Sequence, residues 1–144
     1  TIVAGSGVSL TETANTIEIN SSASGTSFDG TVTTTNNTAT EVLFGGQRRT
    51  PGTNKTWFFT ITAVANRTNG NDSTAIKLEG IFDNNSGTVT ITGTFGNETI
   101  YNSTAATSNY GLDVDIVSNQ VRVRVTGDTG HNVNWKVRYD YIEA

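Results

Sequence analysis

Few residues in this chain are equipped for chemistry. Its one histidine, His131, closes the segment Gly127-Asp128-Thr129-Gly130-His131, where an acid and a hydroxyl precede an imidazole as in a proton relay. No Gly-x-Ser-x-Gly elbow presents a nucleophile to it, so a turn leading into the last strand is the expected role. Asp-Thr-Gly, in two copies, also supplies the carboxylates that share a proton in aspartic proteases. Here it occurs once, without the apolar strand that should precede it, and a second Asp would have to come from another chain. Asp113 and Asp115 have the spacing of paired carboxylates on one strand face, as glycosidic hydrolysis requires, but Arg122 and Arg124 follow at matching spacing. Asp83-x-Asn85-x-Gly87 alternates oxygen ligands as a calcium loop does, yet Thr88 to Gly93 contains no acid to close the coordination sphere. Gly5-x-Gly7 and Gly45-Gly46 lead into strands, whereas a phosphate cradle needs a glycine-rich turn at a helix N-terminus. The expectation is a non-enzymatic protein without cofactor or metal.

Composition narrows the classes further. The 144 residues contain no Cys, no Met, one Pro and 15 Gly, with 27 Thr, 16 Asn and 11 Ser. Disulfides, thiol nucleophiles and Cys-based metal sites are excluded, and packing must hold the fold. A net charge of −4 offers no basic excess to follow a phosphate backbone, so nucleic acid is not an expected partner. The longest apolar runs, such as Trp57-Phe58-Phe59, fall far below the roughly 18 residues of a spanning helix, so no membrane insertion is expected. Residue 1 is Thr and no leader pattern precedes it, so the expectation is either a processed chain or a piece cut from a longer one, with the excised piece favoured.

The elements that must position these residues are strands. Apolar and polar residues alternate with period two, and helical spacing is nearly absent. The pattern predicts strands at Val8–Thr11, Thr16–Asn20, Gly30–Thr34, Glu41–Phe44, Lys55–Arg67, Ala75–Phe82, Thr88–Phe95, Glu98–Tyr101, Leu112–Ser118, Gln120–Gly127 and Asn132–Glu143. Turns rich in Gly, Asn, Asp and Ser separate them, giving an all-β sandwich or barrel. With Ser118-Asn119 as a two-residue loop, Asp115 meets Arg122, Asp113 meets Arg124, and Leu112, Val114 and Ile116 share a face with Val121, Val123 and Val125. The last strand places Val133, Trp135, Val137, Tyr139 and Tyr141 on its buried side. Trp57, Phe59 and Ile61, with Phe58 and Val64, make both faces of its partner apolar, so burial should be deepest there. Residues 1–22 carry few large side chains and form short linking β-segments that cannot bury enough surface to stand alone, leaving 23–144 as the main domain.

Asn-x-Ser/Thr sequons begin at Asn20, Asn36, Asn54, Asn66, Asn71, Asn84, Asn97 and Asn102. The Asn and Thr content alone accounts for about half of them by the acceptor rule. A β-protein without glycans remains the simpler reading.

Two stretches resemble the receptor-binding end of bacteriophage tail fibres and tailspikes. Val3-Ala4-Gly5-Ser6-Gly7-Val8-Ser9-Leu10, followed by Asn15-Thr16-Ile17-Glu18-Ile19, is similar to segments leading from a fibre shaft into a head domain. Lys55 to Arg67, together with Thr126-Gly127 through Val133-Asn134-Trp135-Lys136-Val137-Arg138-Tyr139, resembles the closing pattern of such heads near an acidic C-terminus. There is no repeated shaft and no histidine-rich needle motif. The resemblance implies an antiparallel, jelly-roll-like β-sandwich, with 1–22 as a shaft-like or linking β-segment and 23–144 as the head domain. It also implies a homotrimer at a fibre tip on the virion, made in the host-cell cytoplasm during assembly, with other virion proteins and a host-surface glycan or protein as partners. The expected contacts are Tyr101 and Tyr110, flanking the polar loop from Asn102 to Asn109, where exposed rings would stack on sugars. Arg48 and Arg49 would form a basic loop tip for acidic polysaccharide. The alternatives are a capsid decoration or fibre-connector protein with purely structural contacts, and a depolymerase-type glycan hydrolase.

Overall fold

The computed structural model describes residues 8–13, 16–21, 27–70, 72–102 and 110–144, with 8–13, 16–21 and 94–102 described as backbone. All of its elements are strands: β1 Val8–Thr13, β2 Thr16–Ser21, β3 Ser27–Thr34, β4 Thr40–Val42, β5 Lys55–Arg67, β6 Ser73–Asn85, β7 Thr88–Asn102, β8 Gly111–Val117, β9 Gln120–Thr126 and β10 Val133–Glu143. β1 and β2 pair with each other. The remaining strands form a β-sandwich, a five-stranded antiparallel sheet in the order β3-β10-β5-β6-β7 and a three-stranded one in the order β4-β9-β8. The chain stays within one sheet through the β5-β6-β7 meander and the β8-β9 hairpin, and the sandwich is built from those units.

The core follows from the alternation. β10 contributes Val133, Trp135, Val137 and Tyr139, and β5 contributes Trp57, Phe59, Ile61, Ala63 and Ala65, all buried. Opposite them, Val42, Leu112, Val114, Val121, Val123 and Val125 fill the inner face of the smaller sheet. Tyr139 lies at the centre, with the rings of Phe28, Phe44, Trp57, Phe59 and Tyr141 at centroid distances of 5.5–6.5 Å. Such near-perpendicular contacts suit the aromatic quadrupole.

Three expectations are corrected. Phe58 and Val64 are 42% and 51% exposed, because only the odd-numbered face of β5 meets the smaller sheet. Thr88–Phe95 and Glu98–Tyr101 are one strand, β7, which absorbs the interrupted alternation as register shifts against β6. The strand expected to end at Phe82 continues through Asp83 and Asn85 as part of β6, and the turn consists of Ser86 and Gly87 alone.

The β8–β9 hairpin has the predicted register, Asp115 opposite Arg122 and Asp113 opposite Arg124. Its turn residues Ser118 and Asn119 both have positive φ, 50° and 63°, matching the right-handed twist of the flanking strands. Asn119 also ties the two sheets together. Its side-chain oxygen accepts from the Val89 backbone N–H at 2.7 Å, and its amide donates to the Gly87 carbonyl. Asn119→Ala leaves a half-buried N–H unpartnered and puts a worse residue in a left-handed conformation. We expect a loss of about 1–3 kcal/mol in chemical denaturation. Ser118→Gly should change stability little or raise it.

Candidate functional site at one end of the sandwich

The β5–β10 register places Arg67 opposite Val133, so the turn after β5 and the turn before β10 meet at one end of the sandwich. Thr68 fastens them, donating through both its backbone N–H and its hydroxyl to the Asn132 carbonyl at 2.9 and 3.1 Å. Between the turns lies a polar groove of about 380 Å³ lined by Arg67, Asn69, Gly130, His131 and Asn132. Gly130 has φ of 76°, which lets the second turn fold back towards β10.

Its charged groups are held from behind. Arg67 bonds the Asp72 carboxylate at 3.0 Å, and its backbone N–H donates to the Asp72 carbonyl at 3.0 Å. Asp128 accepts from the Thr129 backbone N–H at 2.8 Å and lies 3.1 Å from His131 Nδ1. The imidazole is therefore oriented by a carboxylate, and its other nitrogen has no hydrogen-bond partner among the described residues. Tyr110, just before β8, packs its ring edge-on against Trp135 at 5.8 Å. Burial, then the negative charges of Asp72 and Asp128, push its phenol above the usual range, while Arg67 opposes them.

The predicted site residues separate between the two ends. Asn102 and Tyr101 close β7, paired with Thr74 and Ala75, at the same end of β6 as Asp72. Asn109 lies outside the described residues. Tyr110 is half-buried against the core, so the ring offers less free face than a loop residue would. Arg48 and Arg49 belong to the opposite end and are engaged within the chain. Arg48 grips both oxygens of Glu41 at 2.6 and 3.0 Å and lies 3.4 Å from the Val117 carbonyl, while the Arg49 guanidinium rests 4.3 Å from the Phe28 ring centroid. The groove itself was missed because its two turns are far apart in sequence. Pairing the two long core strands would have found it, since both turns flank that pair.

Four described sequons can be placed. Asn84 is buried and donates to the Pro51 carbonyl at 2.7 Å, and Asn54 accepts from the Ser86 backbone N–H, so both are structural. Asn36 and Asn66 are exposed.

No family model matches the chain, and no curated protein does. Among solved structures it is loosely similar to a phage tailspike. That structure, the Acinetobacter baumannii phage AM24 tailspike protein, matches with 9% identity and a TM-score of 0.40 over 81% of this chain. The match covers 26% of the tailspike, so the chain spans about a quarter of its length.

The outer face of the smaller sheet carries the chain's densest charges, all paired. Asp115 lies 2.5 Å from Arg122 and 3.2 Å from Arg124, Asp113 bonds Arg124, and Glu41 holds Arg48. Hydrogen bonds from Arg48 and Arg122 hold Glu41 and Asp115 below the usual carboxylate range. Because their folded-state values are depressed, these groups stabilise the fold above their unfolded values near 4 and stop doing so as pH falls through the folded ones. The midpoint of thermal unfolding should therefore fall as the pH drops below about 4. Asp115→Asn should flatten that limb; an unchanged limb would mean the pairs contribute nothing.

Proposed function

We propose that this chain is a non-enzymatic binding module of a phage tail fibre, carried on the virion exterior, that meets a host-surface glycan through the Arg67–His131 end. The observation supporting this is the groove of about 380 Å³ in which amide, imidazole and guanidinium groups converge on backbone turns. Such groups, oriented by Asp72 and Asp128, suit hydrogen bonding to sugar hydroxyls. The carboxylates are committed to those contacts, and those of the β8–β9 hairpin to arginines, which argues against an acid–base pair of the glycosidase type. Tail-fibre membership rests on the two sequence stretches that resemble shaft-to-head and closing segments.

The full chain applied to an array of bacterial surface polysaccharides should bind a subset without releasing reducing ends. The double variant Asn69→Ala/Asn132→Ala should weaken that binding about tenfold or more by removing hydrogen-bonding groups. Tyr110→Phe, which keeps the packing on Trp135, should leave the fold intact and report whether the phenol takes part. Reducing-end release would replace this reading with a hydrolase. Full binding by the double variant would move the site elsewhere.

A further inference from the structure

Asn69-Gly70 is the single Asn-Gly pair of a chain with 16 asparagines. It stands in the loop 68–71 between β5 and β6, which the bond from the Arg67 N–H to the Asp72 carbonyl closes at 3.0 Å. Both residues are exposed, and Asn69 lines the groove together with Arg67 and His131. An asparagine can lose its amide nitrogen to attack by the backbone nitrogen that follows it. The usual obstacles are the next residue's side chain and a hydrogen-bonded backbone. Glycine lacks the first. The second is missing too, because neither the Asn69 amide nor the Gly70 N–H has a hydrogen-bond partner among the described residues. Nor is the pair locked in the tight type I′ turn that Asn-Gly favours, since neither residue has a positive φ.

Arg67 adds a favourable charge. A Cβ on Gly70 would lie 2.9 Å from Arg67 Cδ and 3.2 Å from its Nε, so the guanidinium rests against the glycine. A held cation there stabilises the negative charge that develops as the Gly70 nitrogen loses its proton and the Asn69 amide carbon becomes tetrahedral. The best competing pair is blocked. Asn85 is fixed opposite Thr88 in the β6–β7 ladder, and the Ser86 N–H that would have to attack it donates to Asn54 Oδ1 at 2.9 Å.

We propose that Asn69 is a site of spontaneous covalent modification, converted through a cyclic succinimide to aspartate and isoaspartate. The Gly70 nitrogen gives its proton to solvent and bonds to Asn69 Cγ. The Cγ–Nδ2 bond then breaks, and Nδ2 takes a proton from solvent and leaves as ammonia. Water opens the ring at either carbonyl: breaking the new bond to Cγ leaves aspartate, and breaking the original peptide bond leaves isoaspartate. The sum is one water consumed and one ammonia released, with nothing oxidised or reduced. A group that both donates and accepts hydrogen bonds thus becomes a carboxylate that only accepts, in a groove already holding Arg67 and His131. Isoaspartate also adds a carbon to the main chain of a loop clamped at Arg67 and Asp72. The reaction is independent of what the groove binds.

The folded 144-residue chain, held in mildly alkaline buffer, tests this by ion-exchange chromatography and peptide mass mapping. A species with one more negative charge should accumulate, and the mass gain of amide-to-acid conversion should appear first in the peptide holding Asn69. An isoaspartyl methyltransferase should label that same peptide. Gly70→Ala should slow conversion about tenfold or more, with circular dichroism melting to confirm that the variant folds. The folded chain should convert at least as fast as a synthetic peptide of residues 66–73, in which Arg67 is not held. Slower conversion than in that peptide, another asparagine reacting first, or a folded Gly70→Ala variant converting at the wild-type rate would each overturn the assignment.

Discussion

Gly80→Ala is expected to destabilise the sandwich by about 1–3 kcal/mol, although the same change in a strand usually helps by removing backbone freedom from the unfolded chain. Gly80 faces inward on β6, directly opposite Phe59 on β5. A Cβ there would come within 2.7 Å of the Phe59 ring and 2.5 Å of the Gly93 carbonyl oxygen. Neither can retreat easily. The Phe59 ring is stacked on Phe82 at 4.1 Å, and Gly93 is held at φ of 143° beside the irregularity between Gly80 and Phe82. Phe59→Leu should relieve only part of the cost, since the carbonyl remains. Gly111→Ala is the control: at the start of β8 its new Cβ would meet Thr126 at 3.5 Å, an ordinary contact, so stability should hold or rise. Denaturant melts of the three variants separate close packing from backbone entropy. Equal effects at Gly80 and Gly111 would refute the packing account.

Gly80 also marks how far the sequence alone could reach. Alternation located the strands of both sheets, and β5 matched residue for residue because thirteen positions of period two leave little choice. Charge pairing set the β8–β9 register, since a slip of one residue would bury Asp113 and Asp115. A glycine inside an apolar strand, in contrast, states only that some neighbour comes close, and which neighbour depends on the tertiary pairing with β5. The two apolar faces of β5 had the same ambiguity. The sequence makes Phe58 and Val64 apolar like their neighbours, and only the packing shows that the smaller sheet lies on the other side of β5. Candidate site residues were least legible. An arginine in a loop reads as free until the fold supplies Glu41 for Arg48 and Phe28 for Arg49.

Tyr139 yields the other large effect, and a paired comparison isolates its cause. Its side chain is fully buried among five rings, yet its hydroxyl has no hydrogen-bond partner among the described residues. Tyr139→Ala deletes the centre of the core and should cost about 3–5 kcal/mol. Tyr139→Phe keeps every ring contact and removes only a polar group buried without a partner, so stability should hold or rise by about 1–2 kcal/mol. Burial pushes the Tyr139 phenol far above its ordinary value near 10, since the phenolate would lie in an apolar core. A group whose folded-state value is raised stabilises the fold below its unfolded value and loses that contribution as pH rises past it. The wild-type chain should therefore weaken above about pH 10, as the unfolded chain ionises and the folded one does not. Tyr139→Phe should lack much of that alkaline loss, and the remaining limb reports the other tyrosines, including Tyr110, whose phenol is also shifted upward. A Tyr139→Phe variant less stable than wild type at neutral pH would mean that the hydroxyl does have a partner in the folded protein. The buried phenol would then contribute polar order to the core as well as bulk.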